Sequence, residues 1–293
     1  MNKKKTQKSG QTFGKILGIR VISSSESQLL MRVKGFISHK IKFSILTPNP
    51  ELILLAQESR KLEEALNHAD LPIPDGVGLA QAAKYLSLGL PKNKIARLII
   101  GFIQGVRVGL ATFFDKRWLT TELKPVKGRL FFIELMKMAD KNKWKIFLLG
   151  GKDDEAELAK EKLTSGYKNI KILSERGPIL DKNGEPDTDL DRKLEKDVID
   201  KINKFTPEIT FVAFGNPKQE IWIHKNLSKL NIGGAMAVGG AFRYVAGISK
   251  LPPKWMEEAG LEWLWRLTTE PRRIKRIFNA WPLFPLKVFL SRL

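Results

Sequence analysis

Residues 145–151 read KIFLLGG: one lysine, four apolar residues, then two glycines. A short unbroken apolar run closed by turn formers predicts a strand buried on both faces. Asp153, Asp154 and Glu155 follow, and acidic residues at that place predict a helix over 153–163. The same arrangement recurs along the chain. ITFVAF (209–214) runs into Gly215-Asn216-Pro217 and a helical pattern over 218–230, and 235–238 runs into Gly239-Gly240. Residues 42–46 end in Thr47-Pro48-Asn49-Pro50-Glu51, with proline and glutamate placed for a first helical turn that starts a helix to about 66. Further strands are predicted at 16–21 and 170–173, and further helices after Ser24/Ser25 and over 78–88, 130–141 and 189–205. LPIPDG (71–76) reads as a loop. Strands alternating with helices of this length predict an α/β fold, a parallel sheet with helices on both faces.

In such sheets ligands lie outside the carboxyl ends of the strands. Those ends here carry Gly150-Gly151, Gly215 and Gly239-Gly240, and glycine lets backbone N–H groups approach a phosphate. A nucleotide-type ligand is therefore expected. No GxGxxG follows a strand and no P-loop pattern is present, which argues against a dinucleotide dehydrogenase and a P-loop NTPase.

Composition narrows the chemistry. The 293 residues contain no cysteine, which excludes a disulfide scaffold, a thiolate zinc site and a thiol nucleophile. His39, His68 and His224 share no ligand spacing. The basic N-terminus has no apolar core of a secretory signal, so the expectation is a cytoplasmic protein. Net charge is +20, and residues 1–20, 92–129 and 243–293 together hold 25 basic against 6 acidic side chains. That asymmetry points to a polyanionic partner. The basic residues stand among Ile, Leu, Phe and Trp in IARLIIGFIQGVRVGLATFF (95–114) and WPLFPLKVFL (281–290), which favours a headgroup interface over nucleic acid. On a helical wheel Arg97, Gln104, Arg107, Thr112 and Asp115 share one half of the first run, and Gly101, Gly105 and Gly109 recur every fourth residue. Arg97, Gln104 and Arg107 argue against a transmembrane helix at 95–114, so residues 92–124 are expected to form an amphipathic helical element lying in or dipping into the cytoplasmic leaflet, with Arg97 and Arg107 towards the headgroups. A buried core helix is the alternative.

Asp75, between a proline and a glycine, can be aimed at a substrate hydroxyl as general base, although aspartate there is also an ordinary turn former. Lys218 and Gln219 open a helix after a strand-end loop, where Gln219 can donate to a sugar or phosphate oxygen. Asp187, Asp189 and Asp191 form two D-x-D patterns just before a helix, and helix capping is favoured over metal binding. Arg266, Arg273 and Arg276 lie at helix-compatible spacing for gripping phosphate oxygens.

TPNPE (47–51), LPIPDG (71–76), FLLGG (147–151), GNPKQEIWI (215–223), VGGAFRYVAG (238–247) and PPKWMEEAGLEWLWRLTTEPRRIKR (252–276) resemble, in order, the motifs of the WecG/TagA/CpsF glycosyltransferases. The resemblance implies a Rossmann-like core at 16–247 interrupted by the 92–124 insertion, with a helical, basic–apolar, membrane-associating appendage at 248–293. It also implies an inverting, metal-independent and cofactor-free transfer of a sugar, N-acetylmannosamine or a related hexose, from a UDP-sugar. The acceptor would be a polyprenyl-diphosphate-linked sugar on the inner face of the cell membrane, in cell-surface polysaccharide or teichoic acid synthesis. Carried onto this chain, Asp75 is the base; Thr47, Asn49 and Gln219 line the pocket; Arg266, Arg273 and Arg276 close over the diphosphate. The family's arginine before Val-x-Gly is displaced, since Pro125 precedes Val126-Lys127-Gly128, and Arg129 or Arg97 stands in for it. The family's Arg-Ala-Pro after the glycine-rich loop is Lys250-Leu251-Pro252-Pro253. Homo-oligomerisation is left open. A nucleic-acid-binding protein and a noncatalytic membrane-surface protein are the rival readings.

Overall fold

The computed structural model of the chain describes residues 12–253, 256, 262–269 and 278–293. Its strands are β1 (Thr12–Ile16), β2 (Ile19–Ile22), β3 (Phe43–Leu46), β4 (Leu71–Pro72), β5 (Lys145–Gly150), β6 (Lys171–Glu175), β7 (Ile209–Ala213) and β8 (Gly234–Ala237). The first two form an antiparallel hairpin; the other six form one parallel sheet in the order β4-β3-β8-β7-β5-β6.

The unbroken apolar runs are explained by burial on both faces: every residue of β7 and β8 is buried, as is β5 beyond Lys145. Alternate residues serve opposite cores. Phe147, Leu149 and Val212 pack with Leu52, Leu62, Leu79, Val198 and Trp222 from the helices Pro50–Ala56, Arg60–His68, Val77–Ser87, Asp189–Phe205 and Lys218–Asn226. Ile146, Leu148, Phe211 and Met236 pack with Leu29, Phe131, Phe132 and Ala156 from the helices Glu26–Ser38, Gly128–Asn142 and Glu155–Gly166. Each such side chain, fully buried, contributes about 1.5–3 kcal/mol of transfer free energy. One close approach fixes a glycine: Gly234 pairs with Phe43, and a Cβ there would lie 2.4 Å from the Phe43 ring.

The expected Rossmann-like α/β core is therefore present, with local corrections. The strand expected at 16–21 is a hairpin that turns at Leu17 and Gly18, both at positive φ. The helix expected over 50–66 is two, because Ser59 accepts from the Leu62 amide and caps a second helix. LPIPDG is not all loop: Leu71 and Pro72 pair with Ile45 and Leu46.

The helix Lys94–Phe114 corrects the expected direction of its polar face. Its glycine-and-polar side turns inwards. Gly101 and Val108 are buried, Gln104 donates to the Gly89 carbonyl, and Thr112 receives the Gln81 amide at 2.6 Å. Arg97 donates to the carbonyls of Pro91, Lys92 and Leu293, and Arg107 lies over the Trp118 ring. The arginines are thus engaged by protein groups. The outward side is apolar instead: Ile95, Ile99, Phe102, Ile103, Val106, Leu110 and Phe113 are exposed, Phe102 by 65%. At 21 residues and about 31 Å the helix is long and apolar enough to cross a membrane by length and composition. The last helix, Phe284–Leu290, returns to the core, where Phe284 and Val288 are buried; beyond it, Arg292 donates to the carbonyls of Tyr85 and Leu88.

Candidate active site

Three chain segments meet at the carboxyl ends of β3 and β4. The Ile73 amide donates to Leu46, the Asp75 amide to Pro48 at 2.8 Å, and the Val126 amide to Pro74 at 2.9 Å. A Cβ on Gly128 would lie 3.2 Å from the Thr47 methyl, so the start of the helix Gly128–Asn142 sits against Thr47. Backbone bonds therefore bring Thr47, Asp75 and Arg129 into one neighbourhood. Asp75 is half-buried there. Asn49 spends its side-chain oxygen on capping the helix Pro50–Ala56, accepting from Leu52. Arg129 stacks on the Tyr244 ring at 5.1 Å, whereas Arg97 lies on the Lys94–Phe114 helix with its guanidinium on main-chain carbonyls.

Beside β3 in the sheet, β8 and β7 deliver the second half of the site. Gln219, 2% exposed, accepts from the Gly239 amide at 3.0 Å and donates to Asn216 at 2.9 Å and to Glu220 at 2.8 Å. Its amide thus ties the Gly215 loop to the Gly239-Gly240 loop. Lys218 donates to the Leu180 carbonyl. Gly151 donates to Ala213, which holds the Gly150-Gly151 turn against β7. At Gly150 (φ +95°) a Cβ would meet the Ala213 carbonyl carbon at 2.9 Å, so close approach as well as turning requires glycine. Arg243 pairs with Glu155 at 3.2 Å, and Glu155 also accepts from the Lys152 amide.

Helix ends add to the electrostatics of this edge. The helices Val77–Ser87, Gly128–Asn142 and Lys218–Asn226 begin at Gly76, Lys127 and Pro217, and none has a side-chain cap. Side-chain caps occur on the helices headed by Ser25, Asn49, Ser59, Asn93, Asp115 and Thr188, the Asn49 one at this same edge, and the helix Phe284–Leu290 lacks one as well. Uncapped first turns leave N–H donors and the positive end of the helix dipole for an anion. The sequence pointed to the positive helix starts behind the strand-end glycines but not to their missing caps, whose trace was the absence of Ser, Thr, Asp or Asn at Gly76, Lys127 and Pro217.

The D-x-D residues are occupied otherwise, and the cap differs from the expectation. Thr188 is the cap, and Asp191 accepts from its hydroxyl at 2.6 Å and from the Ile179 amide at 2.7 Å. The hydroxyl bond first, and then the amide, hold Asp191 below the ordinary carboxylate range. Asp189 pairs with Arg192. Among the described residues no group of three or more His, Asp or Glu side chains is placed to hold a metal. A cavity of about 430 Å³ beside β6 is lined by Glu175, Asp197 and Asp200 as well as Arg176 and Lys201. It lies five strand spacings from β4, about 24 Å, and its acidic lining does not suit a diphosphate. Arg273 and Arg276 lie outside the described residues, as does the side chain of Arg266.

One family of known proteins matches almost the whole chain. The model of the glycosyl transferase WecG/TagA/CpsF family matches residues 14–104 and 108–293, breaking only within the long exposed helix. A Bacillus subtilis protein named N-acetylglucosaminyldiphosphoundecaprenol N-acetyl-beta-D-mannosaminyltransferase is 29% identical over 255 residues, 87% of this chain and 82% of the relative. A Staphylococcus aureus (strain NCTC 8325 / PS 47) protein of the same name is 27% identical over 275 residues, 93% of this chain and 91% of its own. With the matched ranges taking in Thr47, Asp75, Arg129 and Gln219, the chain belongs to the WecG/TagA/CpsF family of glycosyltransferases.

Proposed function

We propose that this protein transfers N-acetylmannosamine or a related hexose from a UDP-sugar to a hydroxyl of a polyprenyl-diphosphate-linked sugar, with inversion at the anomeric carbon. The observation that carries the reading is the placement of one carboxylate, Asp75, at the carboxyl edge of the sheet, where the helices headed by Gly76, Lys127, Asp154, Pro217 and Gly240 start without side-chain caps. Asp75 takes the proton of the acceptor hydroxyl as its oxygen attacks the anomeric carbon from the face opposite UDP. The bond from that carbon to the UDP oxygen breaks, and the charge developing on the diphosphate is met by helix-start N–H groups and by Arg129, with Arg266, Arg273 and Arg276 closing over it. Preorganised donors of this kind take the electrostatic role that a metal ion would otherwise fill. Thr47 and Asn49 line the sugar side, and Gln219 holds the loops of Gly215, Gly239 and Gly240 in register.

The lipid-linked acceptor suits a protein held on the inner face of the membrane. The apolar outer side of the helix Lys94–Phe114 enters the leaflet, while Lys92, Lys94, Lys116 and Arg117 near its two ends meet anionic headgroups at about 1 kcal/mol each. The test is a turnover panel of UDP-sugars with a short-chain GlcNAc-diphospholipid, with the anomeric configuration of the product read by NMR. An inverted glycoside from one donor is expected. Retention of configuration, or no turnover with any UDP-sugar, overturns the reading.

A further inference from the structure

The transfer chemistry leaves unused a groove between the helices Val77–Ser87, Lys94–Phe114 and Phe284–Leu290. It encloses about 130 Å³, and Gly78, Ala82, Tyr85, Val108, Gly109 and Phe289 are among its walls. No charged side chain lines it. Of its two polar side chains apart from Trp281, Gln81 is bonded to Thr112. The other, Tyr85, is 4% exposed, yet its hydroxyl has no hydrogen-bond partner among the described residues. A Cβ added at Gly109 would meet nothing within 4 Å, so the wall is open there. Protein interiors normally pack to crystal density and pair their buried hydroxyls. The apolar, glycine-walled opening departs from the first habit, and the unpaired Tyr85 hydroxyl, beside Gly101, which is outside the groove's lining, departs from the second.

Its position connects two features already described. Gly78 stands three residues after Asp75, in the first turn of the helix that follows the catalytic loop. Tyr85 is seven residues further on, about 10 Å along the axis. Gly105 and Gly109 belong to the helix whose other side carries the exposed Phe102, Val106, Leu110 and Phe113. The groove therefore lies between the helix that starts after the Asp75 loop and the helix that carries the apolar outer surface.

We propose that this groove holds one isoprenoid unit close to the diphosphate of the lipid-linked acceptor, so that the chain leaves the site between helices. The inference rests on the proposed transfer to a polyprenyl-linked acceptor. An apolar cavity of about 150 Å³ takes a benzene ring, so this one takes about one branched five-carbon unit. Methyl branches need gaps in the wall, which Gly105 and Gly109 supply.

The full-length protein is photolabelled with a benzophenone-bearing farnesyl diphosphate, and the labelled peptides are identified by mass spectrometry. Label is expected within 77–85, 105–109 and 281–289, competed by geranylgeranyl diphosphate but not by palmitate or inorganic pyrophosphate. Gly109→Leu fills the open wall and should lower that labelling about tenfold, the effect of roughly two methylenes no longer buried, with UDP binding and vesicle binding unchanged. Gly109→Ala stiffens the helix without filling the groove and should label like wild type. Label confined to the exposed face at 95–103, equal competition by palmitate, or undiminished labelling of Gly109→Leu overturns the groove. The two readings fail separately: groove labelling without turnover on any UDP-sugar supports the groove and sinks the transfer reading, and turnover without groove labelling sinks the groove alone.

Discussion

Replacing Gln219 by leucine tests whether one buried amide holds the two halves of the site in register. The substitution keeps the volume and removes three hydrogen bonds: to the Gly239 amide, to Asn216 and to the fully buried Glu220. Two neutral bonds contribute about 1 kcal/mol each and one to a charged group about 2 kcal/mol. The apolar leucine recovers part of this by its own burial, about 1–2 kcal/mol. The expected net loss is about 2–3 kcal/mol, a large share of the roughly 5–15 kcal/mol that holds a typical fold. Urea unfolding measures it, and UDP titration of the folded fraction should show affinity lowered about tenfold as the Gly215 and Gly239 loops separate. Gln219→Glu sharpens the test. It places a second carboxylate beside Glu220, so one of the pair has a raised folded pKa. Stability should then be greater at pH 5 and fall as pH rises through that value. A Gln219→Leu protein within about 0.5 kcal/mol of wild type, binding UDP normally, refutes the argument.

Changing Ile99, Phe102, Ile103 and Val106 together to serine should leave folding intact, because all four side chains are exposed, and should weaken liposome binding by a factor on the order of 100 or more. Chelation with EDTA should leave turnover unchanged; loss with EDTA and recovery with manganese or magnesium would return attention to Asp187 and Asp189. Arg273→Ala and Arg276→Ala should each lower kcat by about ten- to a hundredfold without altering liposome binding. Point substitution is the cleaner form of that test, because truncation after Gly247 also strips Phe284 and Val288 from the core.

Strands such as β5 and β7 were legible because burial on both faces leaves an unbroken apolar run, and the glycines after them marked the ligand edge. The two-residue β4 was not, since a strand containing Pro72 carries no periodic signal. The break after Ala56 has neither glycine nor proline; a side-chain cap from Ser59 made it, and a cap needs the turn geometry to be recognised. The wheel of residues 95–114 separated two faces correctly but could not say which one meets the protein. Close contacts at Gly101, where a Cβ would lie 3.1 Å from the Tyr85 hydroxyl and 3.3 Å from Phe289, put the small-residue side inwards. The family motifs named Asp75 and Thr47, yet their meeting with Arg129 depends on main-chain bonds from Asp75 to Pro48 and from Val126 to Pro74, which no side-chain pattern encodes.

The most direct test of the account is single-turnover transfer by Asp75→Asn on the donor and short-chain acceptor that the wild type uses. Asparagine keeps the shape of the loop and removes the base, so transfer should fall by about 10²–10⁴-fold while UDP affinity and the unfolding midpoint stay at wild-type values. Near-wild-type transfer by a folded Asp75→Asn protein would contradict the assignment of Asp75 as the group that takes the acceptor's proton.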